Sequence, residues 1–225
     1  LILAVFAAMI VLGNFSMNLF APLVFASVVA TMISRSCCGI RSLYSVAPFE
    51  FQSVVQLPWF LFLGIACGVM GAAFLKMLRR SEERFNQIKV PIYVRLAIGG
   101  LIVGLLALKF PQVWGNGYEG ISGILQGPAE MLRPPGGDAR LLLLLVAGLL
   151  FAKLLATLAT VGSGAVGGVF TPTLFLGASL GAGFGLALQL LGGAKQLPVA
   201  VFAVVGMGGT LAATTRSPLL AMIMI

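Results

Sequence analysis

The sequence predicts an all-α polytopic membrane protein, and three observations lead there. Hydrophobic residues fill 60% of the 225 positions and charged residues only 9%, against about a quarter charged in a soluble domain. Mean hydropathy is accordingly +1.09. The apolar residues gather into runs, several of them near the roughly 20 residues that cross a bilayer. The 29 Gly and 11 Pro would disrupt soluble helices, whereas membrane helices tolerate both, because neighbours re-satisfy freed backbone groups and glycine admits close packing. A water-soluble globular protein is thereby excluded, and the first expected partner is the lipid bilayer.

The elements follow in order. Apolar segments lie at about 1–12 and 17–33. The first, LILAVFAAMIVLG, has neither Met nor a charged start, so it does not read as a signal peptide. With the chain stopping at MIMI inside an apolar run, the sequence reads as an internal piece of a longer protein. The segment 57–78 opens with Pro58, suited to a first helical turn, and Trp59, suited to the membrane interface. Six of the 14 basic residues fall between Lys76 and Arg95. By the positive-inside rule they place the 79–91 connection in the cytoplasm. The segment 92–110 then runs outward, putting WGNGYEG (Trp114 to Gly120) and the RPPGGD linker (Arg133 to Asp138) toward the outside. Further segments lie at about 141–161, 168–193, 198–214 and 217–225, and some are too short to span. From Leu154 to Ala194 there is no charged residue, yet Gly162, Gly164, Gly167, Gly168 and Pro172 interrupt the run. Two helices meeting inside the membrane are expected there, and irregular backbone at that depth survives only when buried in protein or lining a watery cavity.

Several function classes drop out. The adjacent Cys37 and Cys38 offer no metal-ligand spacing, and the chain contains no His, so neither a metal site nor a cofactor is expected. The net charge of +8 is not spread along a face interleaved with aromatics, so nucleic acid is not an expected partner. The apolar interior carries no His, Asp or Glu for acid–base chemistry, which argues against an enzyme. No catalytic triad, phosphate-binding loop or dinucleotide fingerprint appears.

The run that carries chemistry is Gly162-Ser163-Gly164-Ala165-Val166-Gly167-Gly168-Val169-Phe170-Thr171-Pro172. Glycines that end one helix and a proline in the first turn of the next leave the amides near Gly168, Val169 and Phe170 unpaired at a helix N-terminus. Free N–H groups and the positive end of the helix dipole make such a terminus an anion site. Partial charges attract a halide without trapping it as a bare Lys or Arg would, and conduction needs weak binding. The competing reading is a Gly-rich kink that lets helices approach, as the small residues at Gly177 and Gly181 would.

That run, continued as TLFLGASLGAGFG, resembles the signature GSGAPGG(V/I)F(T/A)P of the ClC family of chloride channels and chloride/proton exchangers. WGNGY at Trp114 to Tyr118, VGMGGTLAATTRSPL at Val205 to Leu219, and VLGNFSMNLFAPLVFASVVAT near the start are similar to the same family and fall in family order. The similarity is greatest to its bacterial voltage-gated branch. The resemblance implies a ClC-type bundle of tilted and broken helices in a multi-pass bacterial inner-membrane protein, a homodimer with one anion pathway per subunit, and chloride as the transported ligand. It also implies that residues 1–225 form part of a single transmembrane domain lacking its first half and its C-terminal end. It assigns the central chloride site to the backbone amides of Val169 and Phe170, with Gly168 beside them. Gly162, Ser163, Gly164, Gly167 and Pro172 complete the motif.

Two departures stand out. Val166 occupies a position where the family usually has Pro, which bears on the turn geometry. Met9 stands where many bacterial members carry a glutamate, and Ile10 where some exchangers carry a proton-transfer glutamate; neither titrates. Chloride passage of channel type is therefore expected, with a chloride/proton antiporter and a truncated, non-transporting membrane scaffold as the alternatives. Lys153 is expected to snorkel to the interface rather than face the anion path. Arg216 reads as an interfacial or helix-start residue, Glu119 as a solvated acid, and Asn116 and Tyr118 as residues that order a re-entrant loop.

Overall fold

A computed structural model describes residues 17–39, 57–128, 132, 138–192, 198–218 and 221–222. They form an all-helical structure with no strand among the described residues. The order is α1 (Met17–Cys38), α2 (Leu57–Gln87), α3 (Ile92–Lys109), a 3-10 turn (Pro111–Val113), α4 (Tyr118–Gln126), α5 (Ala139–Gly162), α6 (Phe170–Leu190) and α7 (Val199–Thr215). Of these, α2, α3, α5 and α6 are long and apolar enough to cross a membrane. The expected break in the 154–194 stretch is present, with helix on both sides of residues 163–169.

Two elements depart from expectation. The 79–91 stretch is mostly helix, because α2 continues through Lys76, Arg79, Arg80 and Arg84 to Gln87 and leaves only a short link to α3. Charge does not stop a helix; these are good helix formers that carry the helix out past the bilayer. Arg95, one turn into α3, fixes the link by donating from Nη1 to the Asn86 side-chain oxygen at 2.7 Å. The second departure is α4, a nine-residue helix in what reads as loop. At its start Gly117 adopts φ +84°, a left-handed conformation that glycine enters without steric cost. Of the linker before α5, Asp138 is described: its carboxylate accepts from the Arg140 N–H at 3.0 Å and caps the helix.

α6 lies at the centre. It packs most extensively on α7 and is further covered by α5 and α4, while α2 packs on α5 and α7 and α3 packs on α5. In lipid the hydrophobic effect does not drive helices together, so close backbone approach has to supply the attraction. Glycines supply it at several crossings. A Cβ on Gly177 would overlap the Gly206 carbonyl oxygen, and one on Gly181 would overlap that of Phe202, so α6 and α7 meet backbone to backbone. At the α2–α7 crossing a Cβ on Gly71 would lie 2.7 Å from the Ala213 Cβ. Where α2 crosses α5, Gly162 admits Ser81 and Phe85, and the Ser81 hydroxyl donates to the Leu158 carbonyl at 2.8 Å. The small-residue reading of Gly177 and Gly181 therefore holds for the body of α6.

Replacing Gly181 by Val should separate α6 from α7, at the roughly 1–3 kcal/mol typical of overpacking or more. Gly183→Ala is the control, since the nearest atoms to its added Cβ lie at 3.9 Å. Thermal unfolding of the full-length protein in detergent should drop sharply for the first variant and stay near wild type for the second.

Candidate functional site at the break between α5 and α6

The break is built from its hydrogen bonds. α5 closes through the Gly164 N–H on the Val161 carbonyl at 3.0 Å and the Ala165 N–H on the Thr160 carbonyl at 3.3 Å, with Gly164 at φ +94°. This pair of bonds around a left-handed glycine is a Schellman cap. The Ser163 hydroxyl donates to the Thr160 carbonyl at 2.8 Å. Four of the motif's small residues, Gly162, Ser163, Gly164 and Ala165, are thus consumed in ending α5 or seating it. Gly162 receives α2, while Gly99 of α3 packs against Ser163 with room for no Cβ. The cap is complete before Val166, whose side chain is exposed, so the turn closes without the family's proline.

α6 then starts without a side-chain cap. Val169 occupies the cap position with helical dihedrals (φ −91°, ψ −6°). Its carbonyl is taken twice, by the Thr173 N–H at 3.0 Å and by the Thr173 hydroxyl at 2.7 Å. Pro172, in the first turn, has no N–H to pair. Among the described residues no backbone partner is recorded for the N–H groups of Gly167, Gly168, Val169 and Phe170. They gather at the N-terminus of a 21-residue helix, where the dipole adds about half a positive charge. Gly167, Gly168 and Val169 are exposed and Phe170 is half-buried, so the amides open to the outside of the described bundle. Met9 and Ile10 lie outside the described residues.

Lys153 is the correction. Rather than snorkelling, it sits midway along α5, 3% exposed. Its ammonium donates to the carbonyls of Val113 and Gly115, each at 2.9 Å, and lies 5.3 Å from the centre of the Phe175 ring on α6. Midway along a long helix it turns inward and takes backbone partners. It thereby pins the turn after α3, the WGNGY stretch, against α5 and α6. That stretch lies partly within the bundle rather than wholly on an outer loop: Val113 is buried and Gly117 and Gly120 abut Phe175, although Trp114 stays exposed. Sequence reasoning held the signal, a lone cation in a charge-free run, and gave it the commoner reading. Arg216 is the C-cap of α7, with φ 57°, and helical residues resume at 218 just after it. Glu119 is exposed in the first turn of α4, as expected.

Between the 3-10 turn, α5 and the 166–168 segment lies a cavity of about 280 Å³. Lys153, Asn116, Gly167 and Gly168 are on its walls. The two irregular segments of the chain thus face one another across it.

Residues 3–225 match the family described as voltage gated chloride channel. The chain belongs to that family. It is 43% identical over 99% of its length to a putative chloride channel protein ClcB-like from Ralstonia nicotianae, covering 49% of that protein. With the voltage-gated ClC-type chloride channel ClcB of Citrobacter koseri it shares 37% identity over 99% of the chain and 51% of the relative. The fold is similar to the crystal structure of a CLC-type fluoride/proton antiporter, with a TM-score of 0.65 at 23% identity, over 95% of this chain and 50% of that one. The chain therefore spans about half the length of the relatives it matches. The ClC-type bundle inferred from the sequence is the fold observed, and this is a membrane protein of a family that transports anions.

Lys153→Met should free the 111–117 turn. It removes the partner of the Val113 and Gly115 carbonyls and leaves the buried one, at Val113, unsatisfied at a cost of about 1–3 kcal/mol. Hydrogen exchange of the full-length protein should show faster exchange at residues 114–117, whereas Lys109→Met, at an exposed residue ending α3, should leave it unchanged.

Proposed function

We propose that the full protein carries chloride across a bacterial inner membrane, as a homodimer, and that the backbone amides of Val169 and Phe170 hold the anion on its way. The observation that carries this is the uncapped N-terminus of α6, where amides at Gly167–Phe170 lack recorded backbone partners inside an otherwise apolar run. A halide that sheds water needs several N–H groups directed at it, and a helix start offers them with only a partial charge. The residue identities at 169 and 170 then matter little, since the ligand is the backbone. An anion stripped of water also needs ligands on its other sides, and these belong to the part of the protein beyond this chain.

Passage of channel type, without proton exchange, is the form we favour. Met9 and Ile10 stand where the resemblance would put carboxylates, and a proton path needs titratable groups or a continuous chain of water. The relatives named above carry the names of chloride channels.

In the full-length protein an anomalous bromide map should show density at the Val169 and Phe170 amides. Val169→Leu should keep it, and Val169→Pro should lose it, because proline removes the N–H; no density in the wild type refutes the assignment. Reversal potentials in asymmetric chloride with an imposed pH gradient test the coupling. Uncoupled flow follows the chloride Nernst potential and ignores pH, whereas a pH-dependent shift of fixed stoichiometry shows an antiporter.

A further inference from the structure

The C-terminal end of α2 carries a pair of cations without partners. By the positive-inside rule this end, with the short link to α3, lies at the cytoplasmic surface. Arg80 and Arg84 stand there one turn apart and exposed. Among the described residues neither guanidinium has an ion pair or a hydrogen bond, and like charges at this spacing repel one another. The two acids of this stretch do not relieve them. Glu83 borders a groove between α2 and the end of α7, where Lys76, Arg79, Arg80 and Arg216 outnumber it, and Glu82 borders no groove. Membrane orientation and the negative end of the helix dipole favour cations at this level, but any face of α2 would serve both.

The face these two arginines occupy borders an apolar space. α2 and α3 each pack on α5, and Arg95 ties their joined ends through Asn86, yet they do not pack on one another along their lengths. Between them lies a groove of about 510 Å³ with α5 as its floor. Ile102 and Leu106 of α3 and Leu155 and Leu158 of α5 line it, Arg80 and Arg84 line it from α2, and no acidic side chain does. The apolar lining lies deeper than the cations: Ile102 is roughly three turns into α3 and Leu155 roughly two turns from the end of α5. Both are exposed, so the groove opens sideways to hydrocarbon. The Ser81 hydroxyl on its wall is already donated to the Leu158 carbonyl, which leaves the guanidiniums to supply the donors.

An apolar groove at membrane depth with a cationic pair at the water surface matches an amphiphile with an acidic head. In a bilayer such a groove takes a lipid chain whatever the headgroup, so selection falls to the arginines. Guanidinium forks match phosphate oxygens bidentately, and basic pockets between spanning helices on the cytoplasmic side take phosphate headgroups. We propose that this groove binds an anionic phospholipid of the cytoplasmic leaflet, with its phosphodiester held between Arg80 and Arg84 and an acyl chain laid along α5. The lipid then fills the space between α2 and α3 and supplies the counter-charge that the helix itself lacks.

The test is native mass spectrometry of the full-length protein in detergent, titrated with phosphatidylglycerol and, separately, with phosphatidylcholine. Wild type should retain phosphatidylglycerol at concentrations where phosphatidylcholine is lost, and the double variant Arg80→Gln/Arg84→Gln should retain the two equally. Leu155→Trp fills the groove from an exposed position and leaves both arginines in place, so it too should lose the phosphatidylglycerol. Lys89→Gln removes a neighbouring exposed cation that does not line the groove and should behave as wild type. Millimolar inorganic phosphate, which brings no chain, should leave the retained lipid in place. The proposal is overturned by equal retention of the two lipids in wild type, by a preference that survives the double variant or Leu155→Trp, or by displacement with inorganic phosphate, which would mark a site for a soluble anion. A map of the full-length protein with a carboxylate on the Arg80–Arg84 pair, or with polypeptide in the groove, would also overturn it. Chloride passage is not read in this experiment, so its result stands whether or not the Val169 and Phe170 assignment holds.

Discussion

Backbone polar groups must find partners at membrane depth, and that constraint organises this bundle. Two stretches leave the helical state within it: residues 163–169 between α5 and α6, and residues 111–117 after α3. Each solves the problem differently. The first pairs the closing carbonyls of α5 at Thr160 and Val161 through the Schellman cap and the Val169 carbonyl through Thr173, and leaves N–H groups open. The second offers carbonyls, which the Lys153 ammonium collects. Because Lys153 lies on the helix that the first stretch terminates, the two irregular segments are held in register by one side chain.

The helices around them are arranged so that α6 can be buried without long side chains. In the crossing with α7 the contact atoms are glycine and main chain, and dispersion between closely approaching backbones replaces the hydrophobic drive that lipid removes. Larger apolar residues are used where space remains. Phe175 fills the volume between α6, α4 and Lys153, and Phe202 fills that between α7, α2 and α6. The exposed apolar residues of α1, α2 and α3, such as Phe25, Phe62 and Leu101, suit lipid or further protein equally well.

Much of this was legible in the sequence because it depends on local chemistry. Apolar runs of spanning length gave α2, α3, α5 and α6, and glycines followed by Pro172 marked the break and the open amides at Gly168 to Phe170. The continuation of α2 to Gln87 was hidden because charge density marks a boundary with water, not the end of a helix. α4 was hidden because Gly117, Gly120 and Gly123 give its stretch the composition of a loop, and packing on Phe175 decides the matter. Lys153 was misread for a related reason: a sequence shows that a cation lies in an apolar run, but only the fold brings the carbonyls of Val113 and Gly115 to it.

The glycine crossing of α6 and α7 also has a mechanical meaning. Side chains at an interface act as springs, since they can change rotamer and absorb a shift of an ångström or so. Main chain laid directly on main chain has no such compliance. A displacement of the α6 start along its axis would therefore carry the antiparallel α7 with it, together with the left-handed Arg216 that ends α7. The pair would then move as one hairpin, with the open amides and the exposed Arg216 at its two free ends.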